Sequence, residues 1–127
     1  MLDFNNILLD FQQLSGCEAE KMNEEISLVE NAARRLEALI DEDKLTPPDR
    51  RACEYAAACC AVYDHVCKEV GRERIITTAD GKACSGESRP QRIAAAFRLK
   101  ISALSGISGV VKDNGFLFKT AGGSENG

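Results

Sequence analysis

Thr46-Pro47-Pro48-Asp49, followed by Arg50-Arg51-Ala52-Cys53-Glu54-Tyr55-Ala56-Ala57-Ala58-Cys59-Cys60-Ala61-Val62 and running on to Val70-Gly71, is the stretch that decides the fold. Thr46 has the side chain of a helix N-cap. Pro47 suits the first helical position, where its missing N–H would be unsatisfied in any case, and Asp49 falls in the first turn. The small residues Ala52, Ala56, Ala57, Ala58 and Ala61 allow a neighbouring helix to approach closely. The spacing predicts a helix from Pro47 to about Val70, with Gly71 ending it. A helix of this length with a small-residue face needs another helix to cover it, so the fold is expected to be all-α.

The covering helix lies just upstream. From about Glu18 to Ile40, apolar residues recur at Met22, Ile26, Val29, Ala33, Leu36 and Ile40, alternating steps of four and three that make one continuous stripe. Glu18 and Glu20 suit the positive end of the helix dipole, and Glu30 can pair with Arg34 one turn on. Asp41 to Leu45 is a polar connector, so these two helices should form a long antiparallel hairpin. Before them, Phe4, Ile7, Leu8, Phe11 and Leu14 predict a short first helix, capped by Asp3 and closed by Gly16.

Downstream, Arg72 to Glu87 loses helical periodicity. Ile75-Ile76-Thr77-Thr78 is β-prone and precedes the Asp80-Gly81 turn signal, which predicts a small hairpin or an ordered loop. A fourth helix begins near Ser88 or Arg89, takes Pro90 in its first turn, and buries Ile93, Phe97, Ile101 and Leu104; Gly106 and Gly109 weaken any continuation. In Lys112-Asp113-Asn114-Gly115-Phe116-Leu117-Phe118-Lys119-Thr120 the Asn-Gly pair is a turn signal, and Phe116 and Phe118 face one side of an extended segment. A lone strand wants a partner: it folds back as a cover on its own bundle, or it projects as an arm. The sequence thus reads as a small bundle of about four helices over residues 1–120, with an extended arm at 113–120 and a flexible polar tail at 121–127. There is no internal repeat.

Length and composition agree with a globular body. A chain of 127 residues buries roughly two-thirds of its unfolded surface, and 44% hydrophobic residues with only three prolines is not a disordered composition. No apolar run approaches the roughly 20 residues that span a bilayer. No charged n-region precedes an apolar h-region, so a cytosolic protein without membrane attachment is expected.

The net charge of −4 is unevenly spread. Residues 1–43 hold eleven acids and three bases, net −8, and residues 44–127 hold nine acids and thirteen bases, net +4. Arg89, Arg92, Arg98, Lys100 and Lys112 follow one another with no acid between Ser88 and Lys112. Phosphate contact is one reading of such a run, but the acidic total and the lack of interleaved aromatics oppose it. A solvated or internally paired basic face is a second. The third is a side-by-side contact in which the acidic part of one subunit meets the basic helix of the next, a heterologous arrangement that closes into rings. Arg89, Arg92 and Lys100 are the candidate subunit-contact residues.

Chemistry-bearing patterns are missing. No nucleophile-base pair, metal-ligand spacing or phosphate loop is present, so no catalytic, cofactor-binding or metal-binding residues are expected, nor an enzyme. Of the six cysteines, Cys53, Cys60 and Cys67 fall seven apart on the third helix, about 10.5 Å per step along the axis, beyond the roughly 7 Å limit for a disulfide. They read as reduced core residues in a stripe with Ala56, Tyr63 and Val70. Cys59 and Cys60 point apart, and Cys17 and Cys84 lie near loops. His65, the only histidine, falls opposite that stripe one turn before Glu69 and reads as a solvated helix residue. Asp41, Glu42 and Asp43 read as a charged loop.

Taken in order, the short first helix, Leu28-Val29-Glu30-Asn31-Ala32-Ala33-Arg34-Arg35-Leu36, the alanine-rich Ala52 to Val66 helix, the irregular Ile75 to Ser85 segment, the Arg92 to Leu104 helix and the Asp113-Asn114-Gly115-Phe116 ending resemble the head-tail connector (adaptor) family of long-tailed bacteriophages and prophages. The resemblance covers about residues 4–120 and is one of layout, since these adaptors have no invariant catalytic motif; the cysteine content departs from it. It implies a helical subunit in the virion neck, made in the bacterial host cytoplasm, that forms a ring of about twelve copies beneath the portal protein. Such a ring extends the DNA channel toward stopper or tail-completion proteins, without binding DNA specifically, and implies no cofactor. An extended terminal segment often clasps a neighbour or the portal, which makes Phe116, Leu117, Phe118 and Lys119 the candidate partner-binding residues. A cytosolic helical regulatory or binding domain, thiol-responsive through Cys17 or Cys84, is the alternative from another class.

Overall fold

The computed structural model describes residues 2–80 and 89–112, with the side chains of 73–80 excepted. The fold is an all-α bundle of four helices among the described residues: α1 (Phe4–Ser15), α2 (Met22–Glu37), α3 (Pro47–Asp80) and α4 (Arg89–Gly106). Short 3-10 turns at Ala19–Lys21, Glu42–Lys44 and Ser108–Val110 complete the described elements. The arm at 113–120 and the tail at 121–127 lie outside the described residues, as does Gly81 to Ser88.

Local chemistry sets the helix ends. Asp3 accepts from the Asn5 N–H at the start of α1, and Gly16, the only described residue with positive φ (72°), donates its N–H back to Gln12. At the start of α3, the Thr46 hydroxyl accepts from the Asp49 N–H at 3.3 Å while Asp49 Oδ2 receives the Thr46 hydroxyl at 2.9 Å, a reciprocal cap that leaves Pro47 as first helical residue. α2 begins at Met22 instead of Glu18, because Ala19–Lys21 winds as a 3-10 turn first. Its last turn also tightens: the Leu39 and Ile40 amides donate to Leu36 and Glu37, three residues back.

The largest departure from the sequence reading is at Gly71. α3 passes through it and continues to Asp80, so Ile75-Ile76-Thr77-Thr78 is helical and not a hairpin strand. Glycine in a helix interior costs about 1 kcal/mol relative to alanine, a penalty a long nucleated helix absorbs, and Glu69 and Arg72 form an ion pair at 3.6 Å across the junction. At 34 residues α3 is about 50 Å long.

α3 is the central element and packs against α1, α2 and α4. α2 runs antiparallel to it, as expected. The hairpin buries Val29, Ala32, Ala33 and Leu36 of α2 against Cys53, Ala56, Ala57, Ala61 and Val62 of α3, with Ile7 and Phe11 of α1 closing the cluster. The α2 stripe differs from expectation at its first turns: Ile26 is 36% exposed, and Glu25 is buried in its place. On α4, Leu104 is fully buried, while Ile93, Phe97 and Ile101 are half-buried and Ala96 takes the inner position. Ile107, Val110 and Val111 then cover the end of the core nearest Ile40.

Candidate functional site

Three places carry features that packing alone does not require. The first is where the chain leaves α4. The Asp41 N–H donates to the Val110 carbonyl and the Lys112 N–H to the Leu39 carbonyl, both at 2.8 Å, so that Ile40 and Val111 form an antiparallel bridge. The backbone at Val110 to Lys112 is therefore paired with the α2–α3 connector. Phe116, Leu117, Phe118 and Lys119 lie outside the described residues. Nothing in the local sequence signals this bridge, since its halves are 71 residues apart.

The second is the basic α4. Arg89 and Arg92 are half-buried, and each is engaged in an interaction within the chain. Lys100 lays its ammonium over the Tyr63 ring, 4.7 Å from the centroid, and Tyr63 packs on Phe97 at 5.7 Å. Arg98 is exposed. The acids of α1 and α2 find their cations elsewhere: Asp10 grips Arg51 of α3 through two bonds of 2.7 and 2.9 Å, and Glu30 pairs with Arg34. Asp64 of α3 takes Arg35 at 2.6 Å.

The third is a polar cluster inside the hairpin. The Glu25 carboxylate, 4% exposed, receives both its strongest bonds from Lys68 Nζ, at 2.9 and 2.8 Å, and stands 3.2 Å from His65 Nδ1. Burial pushes the Glu25 carboxyl up, but the hydrogen bonds from Lys68 and His65 outweigh it and hold the group below the usual carboxylate range. His65 is mostly covered, not solvated as the sequence suggested, because Phe11 meets it edge to face at 5.6 Å and 85°. Glu69, one turn after His65, brings its carboxylate to the same spot, and one donor atom from each of Glu25, His65 and Glu69 lies within 4.8 Å of the others. The His65–Glu69 spacing was readable in the sequence; the buried Glu25 opposite was not, since the apolar stripe pointed to Ile26.

Beside this cluster an open groove of about 620 Å³ lies between Glu24, Leu28 and Asn31 of α2 and Asp64 and Lys68 of α3. Its cations are already taken by neighbouring acids.

Cys17, Cys53, Cys59, Cys60 and Cys67 are all free; Cys84 lies outside the described residues. Cys53 and Cys59 are fully buried, and burial pushes both up to about 11. Cys60 and Cys67 are half-buried, so the expected seven-residue stripe is fully buried only at Cys53, and Cys59 takes the inner place at the second turn. Cys17, also half-buried, is raised too, first by burial and then by Glu25. No helix among the described residues is long and apolar enough to cross a membrane. No protein-family model, curated protein or solved structure matches the chain.

Proposed function

We propose that this chain is a structural subunit of a phage head-tail connector ring, joining the portal to stopper or tail-completion proteins and extending the DNA channel, with no reaction of its own. The observation that carries the reading is the paired exit from α4. Two backbone bonds fix the chain at Val110 and Lys112, a few residues before Phe116 and Phe118, whose alternation in the sequence suits pockets on another chain's edge. Lys119 limits stacking of arms on one another.

Charge adds support. The exposed acids Glu18, Glu20 and Glu24 stand on and before α2, and the exposed Arg98 stands on α4, so copies set side by side bring opposite signs together. Arg89, Arg92 and Lys100 stand on the same helix, each already engaged within its own chain, so in this reading the exposed Arg98 leads the contact. The overall negative charge lets DNA pass without sticking. At Cys17 the thiol-responsive alternative loses ground, because a raised thiol is mostly un-ionised and unreactive at neutral pH, while Cys84 lies outside the described residues.

The test is a chain truncated after Asn114, co-expressed with the portal protein of the same genome. The full chain is expected to co-purify with the portal, and the truncated chain to keep its melting temperature within a few degrees yet lose the portal. A truncated chain that still binds would contradict the arm. One that unfolds would return Phe116 and Phe118 to the core.

A further inference from the structure

Glu25, His65 and Glu69 bring three metal-type donors together from two helices, and we propose that they form a site for one divalent transition-metal ion of the zinc class, clamping α2 to α3. The donor set, one imidazole and two carboxylates, suits a borderline ion such as Zn²⁺ and leaves a fourth position for water. His65 and Glu69 lie one turn apart on the same face of α3, and Glu25 faces them from α2.

The spacing is the strongest argument. Two donors bound to one tetrahedral ion at about 2.0–2.1 Å stand about 3.3–3.4 Å apart. Glu25 Oε1 and His65 Nδ1 are already 3.2 Å apart. Only Glu69, whose side chain is 33% exposed, must close in from within 4.8 Å, a shift that a flexible carboxylate makes by rotation. Phe11 packs against the imidazole in a T-shaped contact that limits the room for the ring to turn away from Glu25.

Lys68 now neutralises Glu25 and is the competitor at the buried carboxylate, while Arg72 pairs with the outer one, Glu69, at 3.6 Å. Its side chain is 39% exposed on a flexible stem, so it can swing to solvent when a doubly charged ion takes its place. The site is therefore a cation position whose present occupant is displaceable. Removing that occupant should tighten metal binding, an effect that adventitious binding to cysteines would not show.

The experiment titrates the full chain, kept reduced, with Zn²⁺ by calorimetry and with Co²⁺ by optical spectroscopy. One equivalent is expected to bind, with a cobalt spectrum lacking the thiolate charge-transfer band and a rise in melting temperature. Lys68→Gln should tighten binding several-fold, Glu69→Gln should weaken it about tenfold, and His65→Asn should remove it. The first two changes fall on partly exposed side chains, so they decide the matter even if His65→Asn fails to fold. No binding, a thiolate band, or affinity unchanged by Lys68→Gln and Glu69→Gln would overturn the proposal.

Discussion

Glu54 shows how much one buried side chain can hold. It is 2% exposed, and its two oxygens accept from the Asp3 N–H at 2.8 Å and the Asn6 amide at 2.9 Å, with Arg51 3.8 Å away. It thus fastens the start of α1 to α3. Glu54→Gln keeps the shape but turns an acceptor into a donor facing a donor, and is expected to cost about 1–3 kcal/mol in thermal unfolding. Arg34→Ala, which breaks only the exposed pair with Glu30, should cost under about 0.5 kcal/mol. The thiols make a second prediction at this scale. Cys53 and Cys59 are raised in the folded chain to about 11 from an ordinary 9.0. A raised acid favours the fold while protonated, so the stabilisation is complete below about pH 9 and lost as pH climbs toward 11. Chemical denaturation should show stability falling in that window, and iodoacetamide at pH 8 should leave both residues unlabelled in native protein. Labelling of either as fast as in unfolded chain would contradict the burial.

Among the elements, α3 departs furthest from its expected extent, and Gly71 is the reason. Glycine followed by β-branched residues is a sound stop signal locally, but propensities amount to tenths of a kcal/mol per residue and yield to a helix already nucleated. A Cβ at Gly71 would meet nothing within 4 Å, and its φ is not positive. Gly71→Ala is accordingly expected to stabilise the chain by about 0.5–1 kcal/mol, measured by denaturant midpoint; a loss of stability would place a break there. What was legible followed local rules: Asp3 and Gly16 around α1, the Thr46–Asp49 cap, and the Val29–Ala33–Leu36 part of the α2 stripe. What was not legible depends on partners far away in sequence. Glu25 replaces Ile26 inside because Lys68 and His65 wait on the facing helix, and Val111 finds Ile40 only once the hairpin has formed. The site followed the same division, with His65 and Glu69 readable as a pair and the third donor hidden by the apolar pattern.

For the whole molecule the central claim is the proposed assembly into a ring, supported by the backbone pairing at Val110 and Lys112 and by the exposed acids Glu18, Glu20 and Glu24 and the exposed Arg98. Native mass spectrometry of the full chain bound to the portal protein of its own genome measures this most directly. The account predicts a discrete complex with about one copy of this chain per portal subunit, closing into a ring of about twelve. A chain that stays monomeric beside an intact portal, with no complex at any ratio, would contradict it.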